Sequence, residues 1–413
     1  MSARLLSQTL GGALALVCLT SAGAVLTDNR ADEFVDAYMK RKQIPGCAIM
    51  VRHKGATVMQ AGHGMANLEH DVPVTAQTFF QSASMGKQFT AFAIMLLVEE
   101  GKIALGDPVA KYLTAPKSWA GVTVRHLLTH TSGLGDYPED FSMREDYTED
   151  EFMEMVRAQP LAFAAGEKWS YSNLGYLSLG VIIHQVSGKF YGDFLRERVF
   201  LPLGMKATRV ISEADIIPHR AAGYQLRGGE LKNQKWVSPS LNTTADGCLY
   251  LNAGNMALWA EALDKEALLS HASYEQMWSP VKLNDGTTAP YGFGWGVRKT
   301  ESGRRLLEHG GAWQGFASYI ARYPDNQLTV VVFCNRGGAS ARYIAQRLAG
   351  SYVPGLAPPV HKARKLEPAA LRSYAGDYRL EDRFSITLKV VDEHLETTWL
   401  GEKMIMTPET ETA

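Results

Sequence analysis

Ser82-Ala-Ser84-Met-Gly-Lys87-Gln-Phe-Thr-Ala91 runs without a break into Phe92-Ala-Ile-Met-Leu-Leu-Val98. The spacing predicts a helix, and its residues are apolar on nearly every side. A helix that is apolar all round is a buried one. A hydroxyl and an amine three residues apart therefore stand at the mouth of a core helix. On a helix, positions i and i+3 share a face, so Lys87 reaches Ser84. Burying a lysine costs free energy unless it is paired or gives up its proton. A serine hydroxyl is a poor nucleophile without a neighbouring base. By itself S-x-x-K is a weak signal, equally read as a helix start followed by a solvated lysine.

The rest of the chain supplies context. At 413 residues there is room for one large domain or two. Its 46% hydrophobic and 21% charged content is that of an ordinary globular protein. Lys+Arg number 42 against 43 Asp+Glu, so no basic surplus points to nucleic acid. Residues 1–24 read as an export signal: Arg4, an apolar run Leu10–Leu19, and a small-residue cleavage site at Ala22-Gly-Ala24. The apolar run falls short of the roughly 20 residues a spanning helix needs. The expectation is an exported protein, periplasmic or secreted, with no transmembrane anchor after cleavage. Three cysteines then remain, Cys47, Cys248 and Cys334, each in an apolar setting. An odd, sparse set reads as buried thiols, with one bridge as the alternative.

Ala31–Arg41 reads as an amphipathic helix, and Gly46–Arg52 with Ala56–Ala61 as a hairpin turning at Lys54-Gly55. Helices are expected over Val122–Leu128, Glu149–Ala158, Leu174–Val186, Phe190–Val199 and Asn255–Leu263. Strands follow at Gly292–Arg298, Arg304–Gly310, Phe316–Tyr323 and Leu328–Cys334, then a helix over Ala339–Leu348. Strands at both ends with helices between predict an α/β (α+β) fold. One antiparallel sheet is built from both ends, flanked by terminal helices, with an all-helical subdomain beside it. This domain spans 25–350. A proline-rich linker is expected over 351–360, then a small β appendage over 361–413, with an alternating strand at Phe384–Val390.

Two further stretches carry chemistry. Trp169-Ser-Tyr171-Ser-Asn173-Leu-Gly-Tyr176 places a phenol and an amide in a polar loop before an apolar helix; the plainer reading makes Asn173 that helix's N-cap. Leu307-Glu-His309-Gly310-Gly311-Ala312-Trp-Gln-Gly315 reads as a strand ending at His309, then two glycines that let backbone approach a ligand. Its plainer reading is a turn with an exposed histidine.

In this order, the three stretches resemble the motifs of the serine β-lactamase and penicillin-binding protein superfamily, in its class C-like branch of β-lactamases, esterases, D-aminopeptidases and D,D-carboxypeptidases. The second motif is Tyr171-Ser-Asn173 rather than the S-D-N of the class A branch. Leu127-Leu-Thr-His-Thr-Ser-Gly-Leu134, Ala245-Asp-Gly-Cys-Leu-Tyr250 and Tyr291-Gly-Phe-Gly-Trp-Gly296 are similar to that branch as well. The resemblance covers roughly residues 30–350 and implies a β-lactamase/transpeptidase-like fold. It implies that Ser84 is acylated, that Lys87 and Tyr171 carry its proton, and that Asn173 orients the substrate. It puts His309 at the third motif's lysine position and makes the backbone N–H groups of Ser84 and Ala312 an oxyanion hole beside Gly310 and Gly311. The implied reaction is two-step acyl transfer with no metal and no organic cofactor.

The third motif departs from the family's Lys-Thr-Gly: His309 is mostly neutral near pH 7 and Gly310 has no hydroxyl. Capture of a substrate carboxylate there should be weak. That favours an esterase or D-amino-acid peptidase with little β-lactamase activity. The alternatives are a D,D-carboxypeptidase or β-lactamase, and a non-catalytic peptide or peptidoglycan binder on the same fold. The expected partner is a small ester, peptide or β-lactam-like molecule. His126 and His130 stand at i and i+4, but the intervening residues lack the glutamate of a zinc hydrolase, so buried or capping histidines are expected. No G-x-S-x-G is present, and no helix follows Gly292-Phe-Gly-Trp-Gly296 to make it a dinucleotide site.

Overall fold

A computed structural model describes residues 29–138, 140–357, 366–380, 384–392, 394–399 and 402–406. The expected leader, 1–24, lies outside them. The chain begins with helix α1 (Asn29–Lys42) and the hairpin β1 (Gly46–His53) and β2 (Ala56–Asn67). Lys54 and Gly55 turn that hairpin with φ of 50° and 79°. Positive φ at both central residues gives a turn whose twist suits the strands it joins.

The chain then leaves the sheet for its helical part: α2 (Lys87–Glu99), α3 (Val124–Leu128), α4 (Glu149–Ala158), α5 (Asn173–Ser187) and α6 (Ala253–Asp264). It returns as β3 (Gly296–Lys299), β4 (Arg305–Trp313), β5 (Phe316–Tyr323) and β6 (Leu328–Cys334), and α7 (Ala341–Tyr352) follows. The sheet order is β3-β4-β5-β6-β1-β2, with the short strand Val72–Pro73 at the far edge. Every pairing is antiparallel. β6, from the last part of the domain, pairs with β1, from its start, so the sheet is built from both ends of the domain as the pattern predicts.

Both faces of this sheet are covered. Every residue of Leu328–Cys334 is buried, which is why that run reads as continuously apolar instead of alternating. Alternate side chains divide between two cores. Ile49, Val51, Val330, Val332 and Tyr319 pack towards α1 and α7, while Ala48, Met50, Val331, Phe333 and Ile320 pack towards α2. α2 lies in the larger core with Lys87–Leu97 all buried, and α5 packs beside it. Phe89 and Phe92 meet the Trp259 ring at 4.5 and 5.2 Å. The Trp259 indole N–H donates to Gln88 Oε1 at 2.6 Å, so that buried amide is not left unsatisfied.

Four expectations change. β4 does not end at His309 but continues through Gly310, Gly311 and Ala312 to Trp313. The expected strand at Gly292 begins only at Gly296; before it, Tyr291 bridges back to Gly296 around a tight turn. Gly294 holds φ of +74° there, and a Cβ on it would lie 2.7 Å from Gln88 Cα. Only glycine lets this turn rest on the first turn of α2. The expected helix over Phe190–Val199 divides into an α-turn, Tyr191–Leu195, and a π-helical turn, Arg196–Phe200. The expected linker starts inside the fold, because α7 runs to Tyr352 and Leu356 is buried against the α1/α7 core.

Beyond it, Gly376–Leu380, Phe384–Val391, His394–Trp399 and Glu402–Met406 form a four-stranded antiparallel meander over Leu366, Leu371, Leu388 and Leu395. Cys47, Cys248 and Cys334 are buried free thiols. Among the described residues no helix is long and apolar enough to cross a membrane. Truncating the core beside α2 should be felt strongly. Phe92→Ala removes a fully buried ring and should cost about 3–5 kcal/mol in urea unfolding; a change under about 1 kcal/mol would mean the α2 face repacks.

Candidate active site

Ser84 sits in a 3-10 turn, Ala83–Gly86, immediately before α2. Ser82 anchors that turn on both sides. Its N–H donates to Leu249 O at 2.8 Å, its hydroxyl to Gly247 O at 2.5 Å, and its carbonyl accepts from Ser318 Oγ at 2.5 Å. So held, the turn carries Ala83 at φ of +48°, a left-handed conformation that costs a non-glycine residue roughly 1–3 kcal/mol. Gly247 must be small to permit it, since a Cβ there would lie 2.1 Å from Ala83 O.

Lys87 follows one turn later and is fully buried. Its Nζ lies 3.1 Å from Ser84 Oγ, 2.8 Å from Asn173 Oδ1 and 2.5 Å from Asp246 O. All three acceptors are uncharged. The amine also stands 4.9 Å from the Tyr171 ring centre and 5.5 Å from that of Tyr176. Two pairs far apart in the chain, Ser84 with Lys87 and Tyr171 with Asn173, thus meet around one nitrogen.

Asn173 is not the cap of α5. Ser172 takes that position and accepts from Gly175 N at 3.0 Å. The Asn173 amide is thereby left to receive from Lys87 through oxygen and to donate to Asp136 Oδ2 at 3.2 Å. The loop before α5 is held by His130. Its Nδ1 accepts from Ser172 N at 3.1 Å, and its ring lies 4.3 Å from Tyr171 and 4.7 Å from Tyr291. His130 is buried at φ of +59°. His126 instead joins a capping box with Thr123 at the start of α3. Both histidines are structural, yet His130 sets the plane against which Tyr171 packs. Among the described residues no group of three or more His, Cys, Asp or Glu side chains is arranged to hold a metal ion.

The third stretch forms the opposite wall. Gly311 passes so close to the turn that carries Ser84 that a Cβ on it would lie 2.3 Å from Ser82 O and 2.4 Å from Ser318 Oγ. β4 and β5 join through a two-residue hairpin that closes on Trp313 and Phe316. Alternation from that bonded closing pair turns the Ala312 N–H away from β5. β3 reaches only as far as Glu308, so among the described residues no strand pairs with the edge of β4 from His309 to Ala312 on that side.

His309 is buried, not exposed. Its Nδ1 donates to Gly310 O at 2.7 Å, so its Nε2 accepts from the Tyr291 hydroxyl at 2.9 Å. Burial first, and the nearby Lys87 charge second, push its pKa down to about 3. The imidazole is neutral with both nitrogens engaged. Tyr291, absent from the candidate residues, is fixed by the Gly294 turn; the aromatic-glycine pattern at 291–296 was its only trace in the sequence. Ser84, Tyr171, His309, Gly310, Gly311 and Ala312 all line one cavity of about 980 Å³.

This arrangement, a serine before a buried lysine facing a tyrosine and a glycine-edged strand, defines a class of hydrolase, and the comparisons agree. The chain belongs to the Beta-lactamase family, whose model matches residues 31–351. It is a serine hydrolase of that fold. It is 31% identical to Penicillin-binding protein 4* of Bacillus subtilis (strain 168), over 88% of this chain and 86% of that protein. It is 28% identical to a D-aminopeptidase of Gluconobacter oxydans (strain 621H), over 79% of this chain but only 63% of that enzyme. The octameric penicillin-binding protein homologue from Pyrococcus abyssi superposes with a TM-score of 0.73 at 26% identity, covering 91% of this chain and 95% of that one.

The depressed His309 pKa has a consequence for stability. An unfolded histidine titrates near 6.5, so between about 3 and 6.5 the unfolded chain binds a proton that the folded chain refuses. Stability contributed by the neutral ring is complete above about 6.5 and is lost as pH falls through that window. His309→Gln should narrow the gap in unfolding free energy between pH 7 and pH 4 by roughly 1–3 kcal/mol. An unchanged gap in urea titrations would show that this ring takes up a proton as readily folded as unfolded.

Proposed function

We propose that this protein hydrolyses esters or D-amino-acid amide and peptide bonds through an acyl-enzyme on Ser84. The observation that carries this reading is the 3.1 Å approach of buried Lys87 Nζ to Ser84 Oγ, with the amine's other contacts on neutral oxygens. In the structure this amine donates to Ser84 Oγ; to take the serine proton it must keep two hydrogens on Asn173 Oδ1 and Asp246 O and turn a lone pair towards the serine hydroxyl. Ser84 Oγ attacks the substrate carbonyl carbon as its proton passes to the Lys87–Tyr171 pair. The proton then goes to the leaving alcohol or amine as the C–O or C–N bond breaks. Water attacks the resulting ester, returning a proton to Ser84 and releasing the acid. The N–H groups of Ser84 and Ala312 receive the oxyanion, an interaction worth a few kcal/mol of barrier. Asn173 orients the substrate, and Gly310 and Gly311 admit its backbone along the edge of β4.

The neutral His309 supports esters and D-amino-acid amides over β-lactams, because it brings no cation to a carboxylate beside the nucleophile. The D-aminopeptidase relative supports the same choice. A penicillin-binding relative keeps D,D-carboxypeptidase or β-lactamase activity as the second reading. Residues 1–24, read as a leader, put this reaction outside the cytoplasm, with 25–350 as the catalytic domain and 361–413 as its appendage.

p-Nitrophenyl butyrate and a D-alanine p-nitroanilide should both be turned over well ahead of nitrocefin. Nitrocefin turnover at rates of efficient enzymes, roughly 10–10³ s⁻¹, would favour the second reading. A fluorophosphonate should label the wild type and spare Ser84→Ala. Absence of both labelling and turnover in the wild type would leave a non-catalytic binder. Tyr171→Phe should lose about 10²–10⁴-fold in kcat with its melting temperature kept; near-normal turnover would remove Tyr171 from the mechanism.

A further inference from the structure

The cavity that holds Ser84 does not end at the nucleophile. It passes the bare edge of β4 at Gly310 and Gly311 and opens on the other face of the sheet, between the end of α1 and the start of α7. There its lining changes character. Three cationic side chains, Lys42, Arg298 and Arg342, line it there against one carboxylate, Glu308. The chain as a whole carries a formal charge of −1, so this positive excess is local.

Glu308 does not consume it. It is buried, and its Oε1 lies 3.0 Å from Arg298 Nε and 3.5 Å from an Arg342 terminal nitrogen, while Oε2 accepts from the Tyr319 hydroxyl. One carboxylate therefore orients two guanidinium groups. Each guanidinium has five N–H donors and gives one to Glu308. Both arginine side chains remain about half exposed, at 52% and 53%, and line the opening. A concave site lined by one sign of charge concentrates ligands of the other, and oriented guanidinium groups suit carboxylates.

We propose that this end of the cavity is an anion subsite, which takes a carboxylate carried by the substrate remote from the bond that is cut. The proposal deepens the hydrolase reading and rests on it for the position of the scissile carbonyl. Ala312, beside the nucleophile, and Glu308 are four strand residues apart, or about 13 Å at roughly 3.3 Å per residue. The substrate is thus an extended acyl or peptide chain that spans this distance and ends in, or bears, an acid. A free ammonium at that point is disfavoured, which sets the preferred substrate apart from an amine-ended peptide reaching the same place.

The test compares p-nitrophenyl monoesters of linear diacids of four to twelve carbons with their ω-methyl esters and ω-amino counterparts. In the wild type, kcat/KM should favour the free acid over the methyl ester by about tenfold or more at the longer lengths, and the preference should fall as salt is raised. The ratio should collapse in Arg342→Gln and in Lys42→Gln, which lies outside the Glu308 network, and return in Arg342→Lys. No preference at any length, or one that survives both substitutions, would overturn the subsite. A binding readout separates the two claims: calorimetry with dodecanedioate on Ser84→Ala should show binding that Lys42→Gln weakens. Such binding without any ester turnover by the wild type would keep the subsite and reject the hydrolase. Turnover without binding would do the reverse.

Discussion

One buried nitrogen organises this molecule. Lys87 Nζ draws together the turn before α2, the start of α5 and the 245–247 segment through Ser84 Oγ, Asn173 Oδ1 and Asp246 O. Each contact depends on a backbone placed by something else. Asp246 is carried on a segment tied to α2 by Thr90, whose hydroxyl donates to Ala245 O at 2.6 Å. Asn173 is free to turn inward only because Ser172 caps α5 in its place. A buried amine without these acceptors would face the desolvation cost alone. The local strain at Ala83 and His130 is tolerated because the segments around them are fixed from several sides.

The fold was largely legible, and the reason is patterning. The run Leu328–Cys334 and the all-apolar α2 each admit one environment, a sheet or helix covered on every side. Local pattern misleads where a contact with a distant segment overrides a local rule. Two glycines in a row read as the end of a strand, yet Gly310 and Gly311 lie inside β4 because Gly311 must clear Ser82 O. Gly292-Phe-Gly-Trp read as strand, but Gly294 is needed for a turn against α2. Neither partner is near in sequence, so no window along the chain contains the deciding atom.

The candidate site divides in the same way. Ser84 and Lys87 are three residues apart on one turn, and their meeting follows from helix geometry. That Asn173 shares the lysine, or that His130 holds the Tyr171 plane, depends on tertiary placement. The plainer readings of two residues are removed by physical detail, not by preference. Asn173 is not a cap, because its neighbour performs that task. His309 is not exposed, because the turn at 291–296 closes over it with Tyr291.

His309 also changes what the edge of β4 can contribute. A lysine at that position would bring a second charged side chain into the pocket beside Ser84, already occupied by the Lys87 amine. A histidine locked between Gly310 O and the Tyr291 hydroxyl brings none, and Lys87 helps keep it neutral. The edge therefore presents backbone donors and acceptors to a substrate without discriminating strongly by charge. Charge discrimination is left to side chains that the strand carries further along. Glu308, the next residue on β4, points to the opposite face and gathers Arg298 and Arg342 there. A single-residue step along a strand reverses the direction of the side chain. Two adjacent residues thus separate the neutral wall of the Ser84 cavity from the charged wall beyond it, and both are held by the same strand.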